Sequence, residues 1–280
     1  VSQLLDETVF TVEDAIPPEV TLISPQPDAS ISTGFAIAVD VTDNASGVAT
    51  VQYRIDSDAW QPLPAAGTDG RYSLDYMPSE SEEGKHTIEV MATDVAGNSS
   101  DPVQVAITIV PKVDLSTTVN AAEYGMHADV VIEAVLANTA WEKHVSLEAV
   151  VETVTGDPVN EFDATAVALP QNGTETVSLT WNTAATTAGD YQVRTLIRKS
   201  GAVLDEVIVP FVIIPVIDLS ATAATAQPEY GMNEDVLTDI TITSAGNYPV
   251  ALAVTISVLN SGDQVLQTET RGTTALNHGD

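Results

Sequence analysis

Short oxygen-bearing side chains gather around two predicted turns in the first third of the chain. Asp40, Asp43 and Asn44 surround the end of one strand-like run, and Asp94 and Asn98 bracket a glycine-containing turn after another. Carboxylate and amide oxygens are the ligands that calcium prefers in proteins. If the two turns meet at one end of a domain, these five residues form a calcium site. No other cofactor is expected.

The same residues also have a simpler, local interpretation. Short Asp and Asn side chains accept hydrogen bonds from backbone amides a few residues along the chain, and they are typical of tight turns for that reason. Gly47, which follows Asp43 and Asn44, supplies a permissive backbone dihedral in such a turn. Turn geometry is therefore the leading explanation of the pattern, and calcium binding is the second.

The three tryptophans could form a different kind of site. Trp60, Trp141 and Trp181 could stack on sugar rings if they were exposed on a β-sandwich. The alternative is that they pack in the core or between domains. Since aromatic residues make up only 5% of the chain, packing is the favoured interpretation and glycan binding is kept as the alternative.

Catalytic motifs are absent from the sequence. There is no His-Glu-x-x-His, no Gly-x-Ser-x-Gly, no phosphate-binding glycine loop and no cysteine. The four lysines fall outside the apolar strand patterns; they are Lys85, Lys112, Lys143 and Lys199. The sequence therefore predicts a protein that is not an enzyme.

Composition narrows the range of partners. Forty acidic residues against nine basic ones give a formal net charge of −31, which argues against binding to nucleic acid or to an anionic membrane. No run approaches the roughly 18 apolar residues of a membrane span, so no membrane insertion is expected. With no cysteine to form disulfides, each domain must be stabilised by core burial, which suffices for domains of about 100 residues.

Alternating apolar and polar residues predict β-strands. Four clear runs are Phe35–Val41, Val48–Ile55, His86–Ala92 and Val103–Ile109, each rich in β-branched residues. Glycine, asparagine, aspartate and proline separate the runs, and no amphipathic helix lies among them. This pattern is typical of an all-β protein made of antiparallel sandwiches.

An internal repeat indicates a modular chain. Asp114-Leu115-Ser116 followed by Glu123–Met126 recurs as Asp218-Leu219-Ser220 followed by Glu229–Met232. The offset of 104 to 106 residues matches one β-sandwich and is too long for one turn of a solenoid. The second copy stops before the counterparts of several strand-like runs, so the last module is expected to be incomplete.

The repeat and the prolines divide the chain into four parts. Residues 1–16 are interpreted as the terminal strand, over Thr8–Val12, and linker of a preceding module. Domains then follow at 17–112, 113–215 and 216–280. The two junctions contain Pro111 and Pro215 but no Gly/Ser spacer, which predicts short, semi-rigid joints and modules arranged end to end as a rod.

Two signatures in the first domain carry a family resemblance. Asp43-Asn44-Ala45-Ser46-Gly47-Val48 and Ala92-Thr93-Asp94-Val95-Ala96-Gly97-Asn98 lie within residues 17–110, and this segment resembles the bacterial Ig-like domains that occur in tandem in secreted and surface proteins. Residues 113–280 are similar to cell-adhesion-related Ig-like modules of bacterial surface proteins.

The resemblance implies a structural or adhesive role outside the cell. The expected function is a module array of a bacterial cell-surface or secreted protein, acting as a semi-rigid stalk, spacer or fibre component. Its expected partners are other modules of the same or neighbouring chains, including a homopolymer. The alternative is a carbohydrate-binding or accessory module of a secreted hydrolase.

Overall fold

The computed structural model describes residues 13–231, 234–260 and 262–279. These residues form β-strands and a single 3-10 turn at Glu80–Glu82, and no helix among them is long and apolar enough to cross a membrane. The all-β fold predicted from the sequence is thus confirmed. The predicted strand at Thr8–Val12 lies outside the described residues.

The chain divides into two compact units. The first extends to Asp114 and also takes in Ala137–Val145 and Val167–Glu175. The second takes in Leu115–Leu136, Ser146–Ala166 and the chain from Thr176 onwards. The boundaries predicted from the sequence remain predictions.

The first sandwich contains eight strands. They are β1 (Glu19–Ser24), β2 (Ala29–Ile31), β3 (Phe35–Thr42), β4 (Val48–Ile55), β5 (Gln61–Pro62), β6 (Arg71–Tyr76), β7 (Gly84–Asp94) and β8 (Val103–Ile109). One sheet has the order β1-β3-β6 and the other β2-β8-β7-β4-β5. All neighbours are antiparallel except β2 and β8. The four strands predicted from alternation correspond to β3, β4, β7 and β8.

The core of the first sandwich lies between these two sheets. Alternate residues of β3, such as Ile37, Val39 and Val41, meet Ile88 and Val90 of β7 in one buried cluster. Burial of such aliphatic side chains stabilises the fold by about 1.5–3 kcal/mol each. The cluster contains no cysteine, and it also includes Ala140 and Trp141 from the segment that joins the first unit.

A second sandwich is built from nine strands. They are β9 (Asp114–Val119), β10 (Glu123–Tyr124), β11 (Asp129–Ala137), β12 (Lys143–Thr153), β13 (Pro158–Glu161), β14 (Thr165–Leu169), β15 (Thr174–Asn182), β16 (Gly189–Lys199) and β17 (Ala202–Ile213). One sheet has the order β15-β11-β9. The other has the order β10-β17-β16-β12-β13, with β14 also pairing with β12.

The two sandwiches share a detail of topology. In each, a two- or three-residue strand near the start pairs in parallel with the last strand, as β2 does with β8 and β10 with β17. In the second sandwich this brings Tyr124 of β10 against Phe211 of β17, with ring centroids 5.4 Å apart and the rings perpendicular. Edge-to-face contact of this kind is favoured by the ring quadrupoles.

The last part of the described chain forms two antiparallel pairs. Strand β18 (Leu219–Thr225) pairs with β19 (Thr238–Ser244), and β20 (Ala253–Leu259) pairs with β21 (Val265–Gly272). Strand β18 begins within the second Asp-Leu-Ser motif, as β9 begins at the first, and β19 follows the second Glu-Tyr-Gly-Met motif as β11 follows the first.

Candidate functional site

Asp43 closes the turn between β3 and β4. Its Oδ2 accepts hydrogen bonds from the amides of Ala45 at 2.9 Å and Gly47 at 2.7 Å. Gly47 has a φ of 87°, which glycine adopts without strain. The other oxygen, Oδ1, is buried and has no hydrogen-bond partner in the described part of the chain. A buried carboxylate oxygen without a partner is costly, so this atom is suited to a ligand.

Asp94 and Asn98 close the turn after β7 in the same way. Asp94 Oδ1 accepts the Asn98 backbone amide at 2.7 Å, and Oδ2 accepts Asn98 Nδ2 at 2.8 Å. Asp94 is almost fully buried, with 2% of its surface exposed. The turn interpretation of these residues therefore describes their hydrogen bonds correctly.

A third aspartate, Asp14, comes from the segment before the first sandwich. Its Oδ1 accepts the Ile16 amide at 3.1 Å, and its Oδ2 accepts the Ser46 amide at 3.0 Å. Sequence reasoning missed Asp14, because nothing local connects it to turns 30 and 80 residues later. The available signal was an acidic pair, Glu13-Asp14, placed directly before the prolines that lead into the domain.

The three aspartates converge. One carboxylate oxygen from each of Asp14, Asp43 and Asp94 lies within 4.8 Å of the others. A cavity of about 640 Å³ opens beside them, lined by residues 13–16, 44–46 and 95–96. Like charges at this separation repel one another, and a divalent cation among them would turn that repulsion into attraction.

Hydrogen bonding keeps two of these carboxyl groups ionised. The amides of Ile16 and Ser46 lower the pKa of Asp14. Burial raises the pKa of Asp94, but the hydrogen bonds from Asn98 and Gly97 outweigh it, so the net shift is downward. Both groups are therefore anionic at neutral pH, as cation ligands must be.

The structure separates the other proposed calcium ligands. Asp40 does not join the cluster: it lies opposite Arg71 of β6 and forms a 3.1 Å ion pair with it. Asn44 is exposed and lines the cavity. Asn98 uses its Nδ2 as a donor to Asp94 and to the backbone oxygen of Asp14.

Trp141 is not an exposed platform. Only 3% of its surface is exposed, and it packs in the core cluster of the first unit. Its Nε1 donates a 3.0 Å hydrogen bond to Glu83. A ring covered in this way cannot stack on a sugar, so the glycan-binding alternative is wrong for this residue.

The other two tryptophans are partly buried. Trp60 lies under the guanidinium of Arg54, 4.6 Å from the ring centroid, a cation–π contact. Trp181 packs against the core of the second sandwich, with its ring centroid 6.4 Å from that of Phe211. Glycan stacking by Trp60 and Trp181 stays a prediction.

Lys143 is fully buried, contrary to the sequence pattern. Its Nζ donates to Asn138 Oδ1 at 2.9 Å and to the Trp141 carbonyl oxygen at 3.2 Å, and it lies 4.1 Å from the Trp141 ring centroid. These contacts replace part of the hydration that the ammonium group loses. The side chain therefore helps to hold the Ala137–Val145 segment in one conformation.

The first sandwich matches a known family of domains. Residues 18–90 match the family model described as a bacterial Ig domain. This confirms the resemblance that the Asp43–Val48 and Ala92–Asn98 signatures suggested. The match covers most of the first sandwich, from β1 into β7, and about a quarter of the chain.

Solved structures that resemble parts of the chain include an adhesin, a set of fibronectin(III)-like modules and an enzyme. The Yersinia pseudotuberculosis adhesin InvE is 16% identical over 69% of this chain and 58% of its own, with a TM-score of 0.33. The fibronectin(III)-like modules of Clostridium thermocellum CbhA are 12% identical over 70% and 94%, with a TM-score of 0.26. The endo-beta-1,4-mannanase from Thermotoga petrophila is 16% identical over 36% and 21%, with a TM-score of 0.31.

The chain spans about a fifth of the mannanase chain and less than two thirds of the InvE chain. A search of curated proteins found no match.

The segment that follows the Ig domain is held in place locally. The amide of Val110 donates to the Ile31 carbonyl oxygen at 2.8 Å, and Val113 is buried with 2% of its surface exposed. Lys112 pairs with Asp114 at 3.3 Å across the solvent-exposed side. Residues 110–114 are therefore bonded and packed locally, and the semi-rigid joint expected from the sequence stays a prediction.

The second linker is bound by Asn247, a buried residue of the loop after β19. Asn247 exchanges backbone and side-chain hydrogen bonds with Val216: its amide donates to the Val216 oxygen at 3.0 Å, and its Oδ1 accepts the Val216 amide at 2.7 Å. Its Nδ2 donates to the carbonyl oxygens of Thr186 and Ile214. One asparagine thus ties together three segments of the second unit.

Proposed function

We propose that the chain is a structural module array of a bacterial surface or secreted protein, acting as a semi-rigid stalk, spacer or fibre component. The observation that carries this is the binding of the linker at Val216 by Asn247, with four hydrogen bonds at or below 3.3 Å. A linker bonded along its length bends less than a flexible one of similar length. The bacterial Ig domain at residues 18–90 supports the surface location.

A bound divalent cation would restrain the segment at residues 13–16, much as Asn247 restrains the linker at Val216. Calcium bound by Asp14, Asp43 and Asp94 would fix the segment at residues 13–16 to the Ig domain, because Asp14 belongs to that segment and the other two belong to turns of the sandwich. The buried Oδ1 of Asp43, which has no hydrogen-bond partner among the described residues, supports this role. Extracellular modules bind calcium with dissociation constants of about 10⁻⁴–10⁻³ M.

The calcium part is tested by thermal unfolding of the intact chain in 10 mM calcium and in chelator. Calcium at about 100 times its dissociation constant adds about 2.7 kcal/mol to stability, so a rise in the unfolding temperature of the first unit is expected. Asp43→Asn should remove the rise. Asp75→Asn, which changes an exposed aspartate outside the cluster, should keep it. Equal unfolding temperatures with and without calcium would reject the cation site.

The proposed role as a semi-rigid stalk has a separate test. Small-angle scattering of the intact chain should give the long, asymmetric distance distribution of a rod. Asn247→Ala should broaden that distribution by loosening the linker, while Asn44→Ala, an exposed change elsewhere, should leave it unchanged. A compact distribution for the unaltered chain would overturn the stalk proposal whatever the calcium result.

A further inference from the structure

A second cavity lies in the second sandwich, away from the aspartate cluster. It has a volume of about 410 Å³, within the range of small-ligand and side-chain pockets. Strands β12, β13 and β16 supply much of its lining. Val150, Phe162 and Leu196 give it an apolar wall, and Glu148, Glu152 and Glu161 give it carboxylates.

The donors beside this cavity are already engaged. Arg194 donates from Nε and Nη2 to the buried carboxylate of Glu152 at 3.2–3.3 Å, and its Nη1 lies 3.7 Å from Glu206. Gln192 Nε2 also donates to Glu152, at 2.8 Å. The hydrogen bonds from Arg194 outweigh burial and lower the pKa of Glu152, so this pair is ionised and internally satisfied.

The cavity lining has more carboxylate acceptors than it has cationic donors to pair with them. Glu161 is exposed, and its carboxylate has no hydrogen-bond or ion-pair partner within the described ranges. Glu148 has a single ion-pair partner, Arg198, at 3.0 Å. Three glutamates and one arginine leave the lining with a formal charge of −2. Such a site complements a ligand that is rich in hydrogen-bond donors and positively charged.

A metal ion fits this cavity poorly. Among the described residues, only Asp14, Asp43 and Asp94 bring three ligand atoms close enough for one ion. The glutamates here are spread along an apolar wall, an arrangement that suits an elongated cation. A lysine or arginine side chain has this form, with an apolar stem and a charged tip.

We propose that this cavity binds a basic side chain of a protein partner. The methylene stem lies against Phe162 and Leu196, and the cationic tip is held by Glu161 with Glu148 beside it. The net charge of −31 favours the encounter, because it attracts basic proteins from a distance. The surface thus selects a partner that presents an exposed arginine or lysine.

N-acetyl-arginine amide, titrated into the intact chain, tests the proposal. Saturable amide shifts are expected at Val150, Phe162 and Leu196 in heteronuclear NMR spectra. N-acetyl-citrulline amide has nearly the same shape without the charge, and it should bind more weakly, by up to about 5-fold, the largest loss expected for one exposed ion pair. Equal binding of the two compounds would overturn the proposal.

Two glutamine variants separate the cavity from general charge attraction. Glu161→Gln alters an exposed lining residue and should weaken binding by about 5-fold. Glu133→Gln makes the same change on an exposed position of β11 outside the cavity and should have no effect. A similar loss in both variants, or shifts scattered over the surface, would show non-specific attraction and reject the site. Without ligand, the spectrum of the Glu161→Gln variant should match that of the unaltered chain at residues outside the cavity. This match establishes that the variant folds.

Discussion

Asn98 donates a hydrogen bond from Nδ2 to the backbone carbonyl oxygen of Asp14, with 2.9 Å between the two atoms. The bond joins the turn after β7 to the segment before the first strand, across 84 residues. The same Nδ2 also donates to Asp94, so one side chain closes a turn and fixes the entry of the chain into the Ig domain.

Replacing Asn98 by alanine should release that entry segment. The variant loses both side-chain bonds while its backbone amide can still reach Asp94, so a loss of about 1–2 kcal/mol is expected. Hydrogen exchange at the amides of Ile16 and Ser46 should accelerate. Asn44→Ala is the matched control, since Asn44 is exposed in the same region, and it should change stability by less than about 0.5 kcal/mol. Unchanged protection in Asn98→Ala would contradict the role assigned to this bond.

Lowering the pH should release the entry segment that contains Asp14. The pKa values of Asp14 and Asp94 lie below the ordinary value of about 3.9 for an aspartate. Groups with a lowered pKa in the folded state stabilise it above their unfolded pKa, and that contribution is lost as pH falls through the folded value. The Ser46 and Asn98 amide shifts should therefore stay constant down to about pH 4 and change only below it. A transition centred above the ordinary aspartate value would contradict the pKa shifts.

Trp141→Ala should strongly destabilise the first unit. The side chain is buried and its removal leaves a cavity, for which about 3–5 kcal/mol is typical. Trp60→Ala serves as the comparison, because Trp60 is only partly buried, and it should cost clearly less. Denaturant unfolding followed by circular dichroism compares the two. If Trp141→Ala lowered the free energy of unfolding by no more than Trp60→Ala does, the stabilising role assigned to the burial of Trp141 would be contradicted.

Gly246→Ala should disturb the loop after β19 that binds the linker at Val216, although Gly246 itself lies in no strand. A methyl group at Gly246 would lie 2.2 Å from the Val216 carbonyl oxygen, a distance that forces the backbone to move. Overpacking of this kind costs about 1–3 kcal/mol. Faster hydrogen exchange is expected at Ala245 and Asn247, whose amides bond Asp218 and Val216. At Gly125 a methyl group would meet nothing within 4 Å, so Gly125→Ala should leave these amides protected.

Local pattern was enough to predict the strands and the turns. Strands β3, β4, β7 and β8 follow directly from alternation, because side chains in a strand point to opposite faces at every second residue. The turn hydrogen bonds of Asp43 and Asp94 also follow from sequence, since donor and acceptor lie within four residues. The match of residues 18–90 to a bacterial Ig domain confirms what those signatures suggested.

The composition of the candidate site required the tertiary structure. Asp40 was expected beside Asp43, but its partner is Arg71 on a neighbouring strand, and Asp14 takes a place in the cluster from outside the domain. Likewise, the burial of Lys143 and Trp141 depends on the segment Ala137–Val145 joining the first unit.

The sequence by itself determined the all-β fold and the chemistry of the turns, because each depends on residues that are neighbours along the chain, and it determined the repeat, because identical residues recur at a fixed offset. Only the tertiary structure decided which carboxylates meet, which tryptophan is buried and how the linkers are bonded. Those contacts join residues 31 to 84 positions apart, and no local periodicity specifies pairing over such distances.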